Sequence, residues 1–228
     1  TIETVNRDFD IPAEVTYPCF VKPEKSVNNP KATMGKCDNE DELRSHFAGI
    51  TRRKDVKMLV EDYVEIKNEY SILGVAANGT AIGPALFVAE KSGSERRRGV
   101  AVTGRILSCD QLQPIVDDCI KFVEKLKFEG LYDIDLIEDV DGNIYFAEMN
   151  MRFGASGYAF AKCGANLPGI YADYMIKGVP IDKSCKVTGE GKIFVNEKEL
   201  MDAYLDKNLT KKEIDEIMDE VDIHFIKN

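Results

Sequence analysis

Acidic side chains interrupt a predicted β-hairpin in residues 132–152, YDIDLIEDVDGNIYFAEMNMR. Two alternating apolar runs flank Asp141-Gly142, a dipeptide typical of two-residue hairpin turns. Such a turn pairs Val140 with Asn143. Because alternate residues of a strand share a face, Asp133, Asp135 and Glu148 then project from the same side of the hairpin.

This register places Asp135 directly opposite Glu148 and Asp133 opposite Asn150, with Arg152 on the same face. Cross-strand Cβ atoms lie about 5 Å apart, so two carboxylates there either share a proton or hold a cation. Oxygen ligands of this kind suit Mg²⁺, and a nearby arginine can bind a phosphate or a carboxylate. The alternative is a solvated sheet face, and a turn of another length would shift the register.

The opposite face of the hairpin is apolar and is expected to pack on a core. Ile134 and Leu136 point to this side, with Met149 and Ala147 as their partners in the same register. A sheet that buries one face and presents acids on the other can position a polar site.

Patterns along the rest of the chain predict a mixed α+β fold with mostly antiparallel sheets. Asn78-Gly79 is a strong signal for a type I′ hairpin. The predicted strands cover 17–22, 56–64, 69–77, 80–90, 100–106 and 192–195. The predicted helices cover 38–50, 110–128, 156–165, 167–178 and two tail segments that end near residue 219. Asn39 is the expected N-cap of the first helix and Gly178 the expected C-terminal residue of the fourth.

Composition excludes several classes of protein. The 228 residues carry a net charge of −10, which argues against a broad nucleic-acid surface, and no apolar run reaches the roughly 20 residues of a membrane span. The six cysteines include no CxxC pair and there are only two histidines, which disfavours a zinc site, a redox motif or a Ser-His hydrolase. Cys19, Cys119 and Cys163 lie in apolar runs, as expected of reduced, buried thiols in a cytoplasmic protein. P-loop and GxGxxG motifs are absent from the sequence.

Four segments, in this order and at suitable spacing, resemble the ATP-grasp superfamily of carboxylate–amine ligases. They are YPCFVKP, MLVEDYVEIKNEYSILGVAANG, GLYDIDLIEDVDGNIYFAEMNMRFGASG and GANLPGIYADYMIKG. The resemblance covers about residues 15–178. NMRFGASGYA and the tail are most similar to the carbamoyl-phosphate-synthase-like and D-aspartate-ligase-like group.

The resemblance implies ATP and Mg²⁺ or Mn²⁺ as cofactors, with the nucleotide gripped by two α+β subdomains that contain antiparallel sheets. The implied boundaries are 1–64 for an N-terminal subdomain, 65–180 for a C-terminal subdomain and 181–228 for an extension of one strand plus helices. Family members carry an N-terminal α/β domain and a second phosphate lysine upstream. The chain is therefore expected to be a fragment of a larger enzyme, with that missing domain as a partner.

The resemblance also assigns residues to the nucleotide. Lys22 matches the lysine that binds ATP phosphates from a strand end. Glu61 matches the acceptor for the adenine amino group, and the backbone of Tyr63 and Val64 would reach the ring edge. Glu69 matches the acid that holds the ribose hydroxyls.

Further matches concern the metal and the substrate. Asp135, Glu148 and Asn150 match the metal ligands, and Arg152 matches the arginine beside the transferred phosphate. The start of a helix after Arg152 could hold an acyl phosphate or a substrate carboxylate. The residues assigned to that contact are Gly154, Ala155 and Ser156. The remaining candidates for phosphate or substrate contacts are Arg105 and the loop Arg96–Arg98.

The implied activity is ATP-dependent ligation, in which a carboxylate becomes an acyl phosphate that an amine attacks. The expected substrates are small molecules that resemble amino acids or peptides. A homodimer is one assembly that the protein could form. Neither nucleic acid nor membrane is expected as a partner. Three alternatives stay open: a nucleotide-binding module without turnover, phosphorylation of bicarbonate or carbamate, and a structural or partner-binding domain whose acids share a face by chance.

Overall fold

The computed structural model describes residues 3–5, 11, 13–24, 34–50, 58–92 and 100–226. The chain forms two compact units. The first comprises residues 1–65 with 95–98, and the second comprises residues 66–94 with 99–228.

The first unit contains a four-stranded antiparallel sheet in the order β1-β4-β2-β3, together with one helix. Its elements are β1 (Glu3–Val5), β2 (Cys19–Pro23), β3 (Gly35–Cys37), α1 (Glu40–Ile50) and β4 (Met58–Asp62). Its core is small and consists of Cys19, Val21, Cys37, Leu43, Phe47, Met58 and Val60.

The start of α1 agrees with the sequence. Asn39 Oδ1 accepts a hydrogen bond from the Glu42 N–H at 3.0 Å, and Glu42 Oε2 accepts one from the Asp38 N–H at 2.9 Å. These side chains satisfy N–H groups that have no partner inside the helix. The predicted N-cap is therefore confirmed.

The second unit is built on an eight-stranded sheet in the order β10-β9-β5-β7-β8-β11-β12, with β6 paired to β5. The strands are β5 (Ile66–Ala77), β6 (Thr80–Ile82), β7 (Leu86–Ser92), β8 (Ala101–Leu107), β9 (Gly130–Asp139), β10 (Ile144–Asn150), β11 (Ile193–Val195) and β12 (Ile223–His224). The β11–β12 pair is parallel and the other pairs are antiparallel.

Both faces of this sheet are packed against helices. The helices are α2 (Gln113–Lys125), preceded by a 3₁₀ turn at Cys109–Leu112, and α3 (Gly157–Lys162), α4 (Leu167–Lys177), α5 (Glu197–Leu205) and α6 (Lys211–Glu220). Leu73 on β5 belongs to the core that contains α3 and α4 residues, whereas its neighbour Ile72 belongs to the core beneath α2. The alternation along the strand thus separates two apolar layers.

Turn and cap predictions are confirmed in this unit. Asn78 and Gly79 have φ values of 49° and 74°, as a type I′ turn requires. Gly178 ends α4 in the left-handed conformation at φ 69°. The predicted strand 80–90, in contrast, is broken into β6 and β7 by a segment that contains Pro84, which has no N–H for a sheet ladder.

All six cysteines are free, and Cys19, Cys119 and Cys163 are buried as predicted. Strand β12 was not predicted, because two residues carry no usable periodicity. Within the described part of the chain, no helix combines the length and the apolar character needed to cross a membrane.

Candidate functional site

The loop of the β9–β10 hairpin differs from the prediction. The Asp139 N–H donates to the Asn143 carbonyl at 3.0 Å, and the Gly142 N–H donates to the Asp139 carbonyl at 3.1 Å. The loop therefore has three residues, Val140 to Gly142, with Gly142 at φ 85°. The predicted two-residue turn and the Val140–Asn143 pair are wrong. The Asp139 carboxylate stabilises the longer loop, because it accepts from the N–H groups of Asp141 at 3.0 Å and Asn143 at 2.8 Å.

A β-bulge in β10 compensates for the longer loop. Phe146 pairs with Leu136, and the next pair along β9 is Asp135 with Glu148. Ala147 is thus the extra residue, and its predicted pairing with Leu136 is wrong. An extra residue in one strand moves all the following side chains by one position relative to the partner strand.

The acidic pairs are confirmed because of this bulge. Glu148 pairs with Asp135 and Asn150 pairs with Asp133, as the sequence predicted. On the other face, Met149 pairs with Ile134, again as predicted. The loop is one residue longer than predicted, and β10 contains one extra residue. Together these two differences leave the predicted pairing of the polar residues unchanged.

The Asn150 side chain links the two facing acids. Its Nδ2 donates to Asp135 Oδ2 at 3.1 Å and to Glu148 Oε1 at 3.2 Å. Ser71 Oγ on β5 donates to the other oxygen of Asp135 at 3.0 Å. Arg152 Nη2 donates to Asn150 Oδ1 at 3.3 Å, so the arginine lies at the end of the same network.

Burial raises the pKa values of two acids on this face. The pKa of Asp133 is raised to about 7, first by burial and then by the charge of Asp135. The pKa of Asp135 is raised to about 6 by burial, with a further contribution from Glu148, while the Ser71 hydrogen bond opposes the shift. Burial and the neighbouring acids both disfavour the ionised carboxylates, and a bound cation would oppose this effect.

The donor set fits a divalent cation with a partly hydrated shell. In the described ranges no group of three or more His, Cys, Asp and Glu side chains could hold a metal ion. Mg²⁺, however, needs only one or two carboxylates, with water and phosphate as its other ligands. The Asn150 amide nitrogen lies between Asp135 and Glu148, where a cation would be attracted to both. Rotation of that amide would exchange its nitrogen for its oxygen as a third ligand.

The loop after β10 contacts this face of the sheet. A Cβ atom built on Gly154 would lie only 2.1 Å from Asp133 Oδ2, so the backbone approaches that carboxylate closely. The Gly157 N–H donates to the Gly154 carbonyl at 3.1 Å and opens the short helix α3. Ala155 is exposed, and Ser156 is buried. Of the predicted substrate contacts, the structure thus brings Gly154 next to the acidic face.

Residues on β5 and β10 extend the same face. Glu69 pairs with Ile137, and Tyr145 pairs with Ile137 from the other side. Since Ser71 pairs with Asp135 two residues along, Glu69 lies on the face that carries the acids. The face therefore has a polar end at the metal-ligand candidates and an apolar strip beside Glu69.

Arg105 is not on this face. Arg105 on β8 pairs with Val88 on β7, and Val88 pairs with Tyr70 on β5. Tyr70 pairs in turn with Leu136 on β9. Leu136 and Asp135 are adjacent in β9, so their side chains point to opposite faces. Register therefore places Arg105 on the face opposite Asp135.

The guanidinium of Arg105 has other partners. Its Nε donates to Glu90 Oε1 at 2.7 Å and its Nη1 donates to the Gly191 carbonyl at 2.8 Å. These contacts tie β8 to β7 and to the segment before β11. The other predicted basic group, Arg96–Arg98, lies outside the described residues.

The first unit contains the remaining nucleotide candidates. Lys22 Nζ and Glu61 Oε2 form an ion pair of 2.7 Å between β2 and β4. The Tyr63 N–H donates to the Pro18 carbonyl at 3.2 Å, so this N–H already has a partner within the first unit. Lys36 Nζ lies 4.9 Å from the centre of the Tyr63 ring. Val64 follows at the end of this unit and is partly exposed.

Ser71 and Asp133 also belong to the acidic face, although the sequence predicted no role for either. The signal for Asp133 was present, because parity already placed it opposite Asn150. Ser71 had no signal, since its contact with Asp135 depends on the β5–β9 pairing across more than sixty residues.

Part of the chain is similar in sequence to a curated ligase. D-alanine–D-alanine ligase from Geobacillus thermodenitrificans (strain NG80-2) is 26% identical over 157 residues, which is 65% of this chain and 42% of that protein. The chain therefore spans less than half the length of this curated relative.

Solved structures share the fold. L-amino acid ligase from Bacillus licheniformis gives a TM-score of 0.64 at 16% identity, covering 84% of this chain and 49% of that one. N5-carboxyaminoimidazole synthetase from Staphylococcus aureus gives a TM-score of 0.67 at 17% identity, covering 91% and 55%. The same enzyme complexed with ADP gives a TM-score of 0.61 at 18% identity, covering 86% of this chain and 50% of that one.

A family model described as D-ala D-ala ligase C-terminus matches residues 3–170. The resemblance to the ATP-grasp superfamily and the mixed fold with mainly antiparallel sheets are confirmed. The narrower group, carbamoyl-phosphate-synthase-like or D-aspartate-ligase-like, stays a prediction. The chain belongs to the D-ala D-ala ligase C-terminus family of ATP-grasp proteins.

Proposed function

We propose that this chain supplies the ATP- and metal-binding part of a ligase that activates a carboxylate as an acyl phosphate for attack by an amine. The observation that carries the proposal is the facing pair Asp135 and Glu148, with the Asn150 amide between them. Family membership supports the reaction type. The substrates we propose are amino-acid or peptide-like molecules.

Asp135, Glu148 and Asn150 would hold Mg²⁺ or Mn²⁺. When bound, the metal neutralises charge on the phosphate oxygens during phosphoryl transfer. Ser71 holds the Asp135 carboxylate in place through its 3.0 Å hydrogen bond. Arg152 donates to Asn150 Oδ1 in the structure. Rotation of the Asn150 amide towards the metal would break this hydrogen bond, and the guanidinium of Arg152 would then bind the transferred phosphoryl group.

The nucleotide contacts follow from the resemblance. Lys22 would bind phosphate oxygens and Glu61 would accept from the adenine amino group, so their ion pair must rearrange when ATP binds. The backbone of Tyr63 and Val64 would meet the ring edge, and Glu69 would accept from the ribose hydroxyls. The ADP complex of the Staphylococcus aureus synthetase supports a nucleotide as the ligand of this fold.

For the substrate side, we propose the loop Gly154, Ala155 and Ser156, because Gly154 touches the acidic face beside the proposed metal ligands. Chemistry of this type needs no nucleophilic side chain, since the protein positions reactants and stabilises charge. Arg105 carries no role in this proposal, because it lies on the other face and is bound to Glu90. We also propose a cytoplasmic location, on the basis of the six free cysteines.

The test is ATP-dependent phosphate release by the full-length protein with Mg²⁺ and a panel of amino acids and dipeptides. We expect release to require both a carboxylate and an amine, with formation of an amide. Binding of Mg-ATP without release under any pair of substrates would favour a nucleotide-binding module. Absence of any thermal shift with Mg-ATP would exclude both functions.

A further inference from the structure

Asp133 is a buried acid that the proposed mechanism does not use. It lies on β9 and is only 7% exposed. Its Oδ1 atom is buried and has no hydrogen-bond partner among the described residues. A buried polar atom without a partner costs free energy, so native proteins seldom contain one without a reason.

The same strand shows how the fold treats a buried acid that is purely structural. Asp139 is 8% exposed, and its carboxylate accepts hydrogen bonds from the backbone of Asp141 and Asn143, the Asn143 amide and the Tyr145 hydroxyl. These donors satisfy both oxygens. Among the described residues no donor reaches Asp133 Oδ1, so a water molecule could supply the missing hydrogen bond.

The surroundings of Asp133 indicate which donor that is. Asp133 pairs with Asn150 across the hairpin, and the charges of Asp135, Arg152 and Glu148 act on its carboxylate. Two of these charges are the proposed metal ligands. A missing donor at this position is therefore close to the place where a hydrated cation would sit.

Direct ligation by Asp133 is the less favourable arrangement. Its Oδ2 is covered by Gly154, whose hypothetical Cβ would lie 2.1 Å away. Asp133 and Asp135 are also two residues apart in one strand, which separates their Cα atoms by roughly 6.5 Å. Mg²⁺ keeps several waters when few carboxylates bind it, so a bound water can span the remaining gap.

We propose that Asp133 is a positioning residue of the cation site and accepts a hydrogen bond from a water molecule in the shell of the metal held by Asp135 and Glu148. The inference rests on the proposed metal site and deepens it. In its ionised form Asp133 supplies a third negative charge and fixes the orientation of the hydrated ion. Such outer contacts typically change metal affinity by about 10- to 100-fold.

The test uses Mn²⁺ alone as the probe, titrated into the protein and followed by electron paramagnetic resonance. We expect Asp133→Asn to weaken Mn²⁺ binding by about 10-fold, whereas Asp135→Asn abolishes it. Asp141→Asn serves as the matched control, because it removes the same charge from the exposed loop of the hairpin. The affinity of the Asp141→Asn variant for Mn²⁺ should equal that of the wild type.

A second variant tests the position of the carboxylate without removing its charge. Gly154→Ala must displace the Asp133 carboxylate, so it should also weaken Mn²⁺ binding. Counting the waters on bound Mn²⁺ by nuclear double resonance should give the same number in wild type and Asp133→Asn, since the lost contact lies outside the first shell.

Unchanged affinity in Asp133→Asn, with binding lost in Asp135→Asn, would overturn the inference and leave the metal site in place. One additional water in Asp133→Asn would overturn it in favour of direct ligation. Unchanged affinity in Asp135→Asn would remove the proposed metal site itself, and the inference with it.

Discussion

Asp135 lies directly opposite Glu148 across the β9–β10 hairpin, although the loop between the strands is one residue longer than a two-residue turn. The bulge at Ala147 restores the pairing that the longer loop would otherwise shift. The acidic pair therefore depends on two local irregularities that compensate for each other, and each can be altered separately.

Deletion of Ala147 should preserve the metal site. Without the extra residue, β10 continues in the register of Phe146 with Leu136, and Glu148 takes the next position, opposite Asp135. Deletion of Met149 is the matched control, because it moves Asn150 to the position opposite Ile134 on the apolar face. Mn²⁺ titration should show binding in the first variant and strongly reduced binding in the second. Equal loss in both would contradict the role of the bulge.

Glu148→Gln should abolish metal-dependent turnover while the fold is retained. The amide keeps the shape of the side chain but removes the charge that balances a divalent ion. We expect the rate of ATP-dependent phosphate release in the full-length protein to fall on the order of 100-fold or more, because the metal contributes several kcal/mol to catalysis. Circular dichroism should be unchanged. Wild-type turnover in this variant would contradict the assignment of Glu148 as a ligand.

Lys22→Met should weaken nucleotide binding. The substitution removes a charged donor for phosphate oxygens and leaves Glu61 without its 2.7 Å ion-pair partner. A charged hydrogen bond contributes about 1.5–3 kcal/mol, so the Kd for Mg-ATP should rise about 10-fold or more in calorimetry. Lys177→Met is the control, because Lys177 also forms a 2.7 Å ion pair, with Asp173 on the surface of α4. A similar Kd in both variants would exclude Lys22 from the phosphate site.

Glu138 should stabilise the fold in a pH-dependent way. Hydrogen bonds from Asn68, Tyr70 and Lys67 lower the pKa of its carboxyl group to about 2, from an ordinary value of 4.5. Because the folded state holds the ionised form, its contribution is complete above the unfolded pKa. The contribution is lost as the pH falls from 4.5 through the folded value near 2.

The variant that tests this is Glu138→Gln. Urea unfolding near neutral pH should show a loss of about 1–3 kcal/mol relative to wild type. The difference between the two proteins should shrink as the pH is lowered towards the folded pKa. A difference that stays constant with pH would mean that the carboxylate charge does not stabilise the fold.

The sequence was sufficient for those features that depend on local chemistry. Asn39 caps α1, Asn78-Gly79 forms a type I′ turn and Gly178 ends α4, each through contacts within a few residues. Side-chain alternation also placed Asp133 and Asp135 on one face of β9, and Glu148 and Asn150 on one face of β10. Their coincidence on the same face of the hairpin depended on the three-residue loop and the bulge, which the sequence did not reveal. Pro84 indicated a break between β6 and β7, but the apolar residues around it favoured one continuous strand.

Features that depend on distant pairings were not accessible in this way. Arg105 was expected near the phosphates, but the register from β8 through β7 and β5 to β9 places it on the other face of the sheet. Ser71 supports Asp135 only because β5 is the neighbour of β9. A single strand pattern fixes which residues share a face, yet it does not fix which strand lies beside it or in what register.

The residue types and their alternation thus determined that acids and an amide share one face of a hairpin in an ATP-grasp chain. Tertiary structure alone decided that Asp133 keeps a buried oxygen without a partner among the described residues, whereas Asp139 takes its donors from the adjoining loop and strand. The reason is that strand parity is a property of the backbone, whereas burial and the supply of donors depend on what the rest of the chain packs against that face.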